Sequence, residues 1–221
     1  MAKPLITTKP VSKLQANAAQ VSIVSGGLFA VLLLLLHALE PEFDPTWRFV
    51  SEYMLGNFGW MMHLAFMALA ISLLCAAVAI ALQVRVWYGY IGIAILGLSA
   101  IGLFIAGIFI TDLATTSPEA MTFSGAMHVF GASLDYTPLA AILLSFALGR
   151  NQTWQPIRKW LLITAIITFV IMIAFIAVLP FDGKIGPGVL AGLVGRFLLL
   201  SYLGWIVTVG RHVLKLHRQK D

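Results

Sequence analysis

Six separate apolar runs, each long enough to cross a lipid bilayer as a helix, constrain this chain more than any other feature of its sequence. A transmembrane helix needs about 20 mainly apolar residues to span the hydrocarbon core. The runs cover residues 21–39, 59–82, 91–110, 123–148, 161–179 and 189–209. They predict an all-α, polytopic integral membrane protein folded as a bundle of six transmembrane helices, with no length left for a separate soluble domain.

The composition excludes a water-soluble core. Of the 221 residues 60% are hydrophobic and only 10% are charged, whereas soluble domains are usually about 45–50% apolar and about 25% charged. The single cysteine, Cys75, excludes an internal disulfide and a cysteine metal cluster.

The basic residues fall mainly on one side of the predicted bundle. Eleven of the 14 Lys and Arg residues lie in the two tails and in the second-to-third and fourth-to-fifth connections. By the positive-inside rule both termini are predicted to be cytoplasmic. We therefore predict a cytoplasmic tail over residues 1–20, a transmembrane domain over 21–211 and a second cytoplasmic tail over 212–221. The net charge of +5 is then a signal of topology, and no nucleic-acid partner is expected.

The longest outer connection, residues 40–58, has the composition of an interfacial segment. Asp44 can cap a helix that begins at Pro45, and Gly56 suits the position after its end. Aromatic residues along it are typical of a membrane interface. We expect a short helix along the outer surface that anchors the protein or roofs a pocket.

Asp135 is the ionisable residue placed deepest in an apolar run. It lies about 12 residues into the fourth run, near the bilayer midplane, where an ionisable group is costly and is by default a functional hypothesis. Pro138 is predicted to bend the helix there and to free the carbonyl of Leu134. His128 and Ser124 share the helix face of Asp135, which predicts a polar stripe from the outer side inwards. The alternative is a structural strut between helices.

Further polar residues gather at the outer ends of the other helices, the fifth excepted. His37 ends the first helix, and Arg48 stands one helical turn before Glu52. We expect an outward-opening polar pocket between helices two, three, four and six. Its candidate residues are Ser51, Glu52, His63, Asp112, Ser124, His128, Asp135 and Arg196.

Three chemistries fit this set of residues. His63, His128 and Asp112 are predicted ligands for zinc in a metal-dependent intramembrane hydrolase acting on lipid. His63 and His128 alone could be axial ligands of a haem. The leading interpretation is a non-catalytic pocket for a small molecule or lipid, in a sensor or an accessory subunit of a membrane complex. In that pocket Arg196 would receive an anionic group and Asp135 would act as counter-charge or proton acceptor.

Short motifs in the outer half of the chain carry a family resemblance. They are Ser51-Glu52-Tyr53, Leu55-Gly56, Gly59-Trp60-Met61, Gly107-Ile108-Phe109, Thr111-Asp112, and Thr122 ahead of Gly125 and His128. The chain resembles DUF998, a bacterial six-helix membrane family of unknown function, from helix one through Arg196. The resemblance implies a multi-pass protein of the bacterial cytoplasmic (inner) membrane with an outer cluster of Ser51, Glu52, Asp112 and His128, and it implies no activity. Ile110 replaces the family's usual proline, and Asp135 lies outside the pattern.

Overall fold

The computed structural model describes residues 10–180 and 183–219, and within them it contains helices and no β-strand. The α-helices are α1 (Lys13–Leu39), α2 (Gly59–Ile80), α3 (Trp87–Ile108), α4 (Phe123–Ser133), α5 (Thr137–Leu148), α6 (Arg158–Val178) and α7 (Ala191–Arg218). Short 3₁₀ helices occupy Val50–Leu55, Ala81–Gln83, Pro118–Ala120 and Gln152–Ile157.

Six spans among the described residues are long and apolar enough to cross a membrane. They are residues 13–39, 59–83, 87–108, 123–148, 152–178 and 191–218, so α4 and α5 together form the fourth span. The all-α six-span prediction is confirmed, and the chain is a multi-pass membrane protein.

The first and last helices extend into the segments predicted to be tails. α1 begins at Lys13 because Ser12 and Gln15 form a capping box, in which each side chain bonds to the backbone N–H of the other residue. The Gln15 amide also donates to the carbonyl of Ala79 at 3.0 Å, which fixes the start of α1 against the end of α2. Hydropathy alone misses such a polar first turn.

The six spans form a ring in chain order, and α7 closes the ring on α1. Hydrogen bonds between small polar residues hold neighbouring helices together, as is common inside membranes. Ser22 and Ser72 each donate to the backbone carbonyl of the other, at 2.8 and 2.7 Å, across the α1–α2 contact. Trp205 of α7 donates to the Ser145 hydroxyl of α5 at 2.9 Å.

The fourth span is interrupted near its middle, a few residues before the proline that was predicted to bend it. α4 ends at Ser133 and α5 begins at Thr137, so Pro138 falls in the first turn of α5, where its missing N–H removes no helical bond. The carbonyl of Leu134, predicted to be free, accepts from the N–H of Tyr136 at 3.1 Å.

The two ends of the bundle differ in construction. We call the end formed by the connections 40–58, 109–122 and 179–190 the loop face, and the opposite end, which carries the described termini, the termini face. The loop face is the one predicted to be outside.

The 40–58 connection differs from its prediction. Its helix covers Val50–Leu55 and ends before Gly56 as expected, but it does not begin at Pro45. The Asp44 carboxylate instead closes a turn on Thr46, accepting from its hydroxyl at 2.6 Å and its N–H at 2.8 Å. The hydrogen bond from the Thr46 hydroxyl, followed by that from its backbone N–H, holds the pKa of Asp44 below its usual value.

Candidate functional site

The predicted pocket residues fall into three groups that differ in their hydrogen-bond partners. Arg196 lies under the 40–58 connection, Asp112 and the two histidines surround the end of α3, and Asp135 lies in the break of the fourth span. The separation follows from the partners that each side chain has already found.

Arg196 is buried, and each of its three guanidinium nitrogens donates to the protein. Its Nε donates to Nε2 of His37 at 2.8 Å, and Nη2 donates to the Tyr53 hydroxyl at 3.3 Å. Nη1 bonds to the carbonyl oxygens of Pro45 (3.1 Å), Arg48 (2.6 Å) and Gly192 (3.0 Å). The guanidinium thus takes up carbonyls that a helix beginning at Pro45 would have used internally, which explains why that helix does not form.

The hydrogen bonds around His37 define its tautomer. Its Nδ1 lies 2.6 Å from the Leu33 carbonyl, which can only accept, so Nδ1 carries the hydrogen. Nε2 is therefore the acceptor for Arg196. Arg196 is a tie between α1, α7 and the 40–58 connection, and its donors do not face an anionic ligand as was predicted.

Glu52 ties two loop-face connections together. One oxygen accepts from Arg48 Nη1 at 3.0 Å and from the N–H of Ala114 at 3.1 Å, and the other accepts from the N–H of Phe49 at 2.9 Å. The predicted pairing with Arg48 is present, and it is the ion pair found among the described residues. Ser51, next to it, is buried in the same 3₁₀ helix.

Asp112 supports the start of α4. Its two oxygens accept from the N–H (2.7 Å) and the hydroxyl (2.9 Å) of Thr122, and the Thr122 oxygen in turn accepts from the N–H of Gly125. A carboxylate beside a helix N-terminus is stabilised by the helix dipole. Ser124 donates to the carbonyl of Ile110 at 2.8 Å, so it too fastens α4 to the end of α3.

His63 and His128 hold the C-terminal end of α3 from two sides. Nδ1 of His63 donates to the Gly107 carbonyl at 2.6 Å, and Nδ1 of His128 lies 2.8 and 3.0 Å from the carbonyls of Ala106 and Phe109. The last carbonyls of a helix have no partner within it. Both histidines therefore supply missing donors to the end of α3 through Nδ1.

The predicted zinc set is not assembled. Among the described residues no group of three or more His, Cys, Asp or Glu side chains is placed to hold a metal ion. Both oxygens of Asp112 are engaged by Thr122 rather than directed to His63 and His128. The haem alternative, which needs only the two histidines, stays a prediction.

Asp135 joins the interrupted fourth span to the sixth. One oxygen accepts from the Thr137 hydroxyl at 2.6 Å and the Thr137 N–H at 3.1 Å, and the other accepts from the Tyr202 hydroxyl at 3.0 Å. Ser99 of α3 is a further hydrogen-bonding neighbour. Asp135 is partly exposed, and all these partners are uncharged.

The predicted polar stripe along the fourth span is therefore not continuous. Ser124 and His128 bond to α3, whereas Asp135 bonds to Tyr202 of α7. The interruption between Ser133 and Thr137 removes the regular helical spacing on which the stripe depended.

In the half of the bundle nearest the loop face, α4 has close helix packing on one side only. α4 packs against α3 and makes no more than marginal contact with any other helix; its buried residues are Gly125, His128 and Gly131. α6 packs on α7 but buries no residue beyond Thr168. We call the space between α4 and the α6–α7 pair the lateral gap. α5, which contacts α3, α6 and α7, closes it at the depth of Asp135.

Sequence reasoning missed several partners of the site. Thr137 could have been predicted as a partner of Asp135, because Asp-x-Thr ahead of a proline is a turn and capping signal. Tyr202 could not have been predicted as a partner, because it meets Asp135 only when α7 closes the ring of transmembrane spans. Glu40 was also missed: it is 1% exposed, one oxygen accepts from the N–H of Phe58, and the other is buried without a partner beside Gly56.

The comparisons with known proteins agree with the family resemblance. The sequence model of DUF998, described as a protein of unknown function, matches residues 23–212. No curated protein and no solved structure matches the chain.

Proposed function

The chain belongs to the DUF998 family of proteins of unknown function, and from the geometry of its own residues we propose that it binds a membrane-borne small molecule or lipid in the lateral gap. Asp135, at the closed end of the gap, is the polar group that would orient the ligand. The observation that carries the proposal is a partly exposed carboxylate in the middle of a membrane span, hydrogen-bonded to neutral groups. Ionisable residues in such places are typically functional.

Construction of the loop face favours entry from the bilayer. Arg196 holds the 40–58 connection to α1 and α7, and Glu52 holds it to the 109–122 connection. These ties make a cross-linked cover over the end of the bundle. The lateral gap, in contrast, borders α4 and the half of α6 that has no buried residue, so a ligand dissolved in the membrane reaches it directly.

The interrupted fourth span supports binding in a second way. Discontinuous membrane helices often form ligand sites, because the break exposes polar backbone and side-chain groups at midplane depth. Here the break places Asp135 between Ser99 of α3 and Tyr202 of α7. With the predicted orientation, the gap opens to the outer leaflet of a bacterial cytoplasmic membrane. Binding there without a reaction suits a sensor or an accessory subunit of a membrane complex.

Native mass spectrometry of the full chain tests the proposal. Protein is purified in a mild detergent, stripped of loosely held lipid by extended washing, and compared with Asp135→Asn and with Glu119→Gln. Glu119 is an exposed acid in the 109–122 connection, so its variant makes the same chemical change away from the gap. We expect a retained small molecule or lipid on the wild type and on Glu119→Gln, and its loss from Asp135→Asn. A wild type that retains nothing, or equal retention by all three proteins, would contradict the proposal.

A further inference from the structure

We infer that the ligand of the lateral gap is a small lipophilic cation whose positive group is held by the Asp135 carboxylate. This inference rests on the proposed function and names the ligand class.

The charges around Asp135 favour a cation. The groups that face it, Thr137, Tyr202 and Ser99, are uncharged. The buried cation on α7, Arg196, donates to His37, to Tyr53 and to backbone carbonyls near the loop face. A carboxylate inside a membrane is costly unless it is paired, so a cationic ligand would be stabilised where an anionic one would be repelled.

The helix dipoles at the break in the fourth span do not neutralise the Asp135 carboxylate in place of a cationic ligand. The N-terminus of α5 carries a partial positive charge, and the C-terminus of α4 carries a partial negative charge of about the same size. Both ends meet at Asp135, between Ser133 and Thr137. The carboxylate accepts from the N–H of Thr137 at the start of α5, but a partial charge of about half an elementary charge does not neutralise it.

The hydroxyl and N–H groups around Asp135 are neutral donors, so they solvate its carboxylate without cancelling its charge. Two carboxylate oxygens offer about four lone-pair positions. One oxygen already accepts twice, from the hydroxyl and the N–H of Thr137, and the other accepts from the hydroxyl of Tyr202. Ser99 is a further hydrogen-bonding neighbour, so a cationic ligand would meet the partly exposed side chain through its charge rather than through a new hydrogen bond.

The depth of the Asp135 carboxylate in the membrane favours a compact cation over a lipid headgroup as the ligand. Asp135 is 12 residues beyond Phe123, the first residue of α4, which is about 18 Å along a helix axis. The hydrocarbon core is about 30 Å thick, so the carboxylate lies close to its middle. A phospholipid would have to draw its phosphate into hydrocarbon to reach it, whereas a cation screened by apolar substituents dissolves at that depth.

Two ions of the same shape and opposite charge provide the test. Tetraphenylphosphonium and tetraphenylborate are each titrated, by equilibrium dialysis, into the full chain in a non-ionic detergent. We expect saturable binding of the phosphonium to the wild type and to Glu119→Gln, and no saturable binding of the borate. Asp135→Asn should weaken phosphonium binding by about tenfold or more, because it removes the opposite charge that attracts the ion.

The Tyr202→Phe variant distinguishes a loss of phosphonium binding from a general folding defect. It removes a hydroxyl from the carboxylate but leaves the charge, so phosphonium binding should persist even if thermal stability falls. Equal phosphonium affinity in wild type and Asp135→Asn, or equal binding of both ions, would overturn the cation inference. If the wild type retains a lipid by mass spectrometry and binds no phosphonium, the cation inference fails while the proposed function stands. If it retains nothing and binds neither ion, both fail.

Discussion

The carboxylate of Asp112 occupies the space that any side chain on residue 125 would need, since a Cβ added to Gly125 would overlap its Oδ2. The glycine therefore lets the acid reach Thr122 and support the start of α4. The family motif that joins Thr111-Asp112 to Thr122, Gly125 and His128 describes this joint between α3 and α4.

Gly125→Ala should destabilise the protein by about 1–3 kcal/mol, because the added methyl overpacks a filled site and displaces the carboxylate. The thermal midpoint in detergent measures the effect. Gly27→Ala is the matched control: it is also a helical glycine, but a Cβ there meets nothing within 4 Å. Alanine is the better helix former, so the control should keep or slightly raise the midpoint. Equal midpoints for both variants would contradict the packing argument.

Glu40 and Gly56 form a second pair of this kind. A Cβ on Gly56 would overlap the Glu40 carboxylate, so Gly56→Ala should lower the thermal midpoint. Glu40→Ala should remove the clash, and the double variant should be more stable than the sum of the single effects predicts. Non-additivity is expected between groups in contact. A strictly additive pair would show that the glycine is needed for another reason.

The fold was predictable from hydropathy because each span must satisfy its own backbone inside the membrane. The break in the fourth span was predictable as well, because Pro138 lacks an N–H and cannot sit inside an uninterrupted helix without disturbing it. The polar first turn of α1 is absent from a hydropathy profile, but the spacing of Ser12 and Gln15 is that of a capping box and could have predicted it.

The site was less predictable because the sequence does not show which partners a polar residue has found. His63, His128 and Asp112 have the residue types of a metal site, yet each of them satisfies the end of a helix. Arg196 has the charge of an anion receptor, yet it binds carbonyls that the 40–58 connection leaves without partners. Asp135 was found because its depth alone makes it unusual.

The orientation of the bundle is predicted from the distribution of basic residues. Eleven of the 14 lie on the side of the termini, so reporter fusions after Arg85, Arg150 and the C-terminus should be cytoplasmic. Fusions near Asp44, Glu119 and Gly186 should be external. A single site on the wrong side would contradict either the orientation or the number of spans that cross.

The two histidines are predicted to stabilise α3 whether or not they bind haem. His128 is 3% exposed and faces two carbonyls, whereas His63 is partly exposed and faces one. His128→Ala should therefore lower the thermal midpoint more than His63→Ala, because it leaves more buried acceptors without a donor. An absorption spectrum of the wild type tests the haem alternative: a Soret band lost in both variants would establish it, and a featureless spectrum would remove it.

Arg196 is predicted to hold the loop face closed. In Arg196→Met the carbonyls of Pro45 and Arg48 lose their donor, and a hydrogen bond to a charged group contributes about 1.5–3 kcal/mol. The 40–58 connection should then open more often, and trypsin should cleave after Arg48 faster, as measured by the appearance of a fragment that begins at Phe49. Arg211→Met is the matched control, because Arg211 lies on the same helix and is exposed at the termini face. If the two variants are cleaved after Arg48 at the same rate, the guanidinium does not close the loop face, and the Glu52 contact with Ala114 must hold the 40–58 connection in place without it.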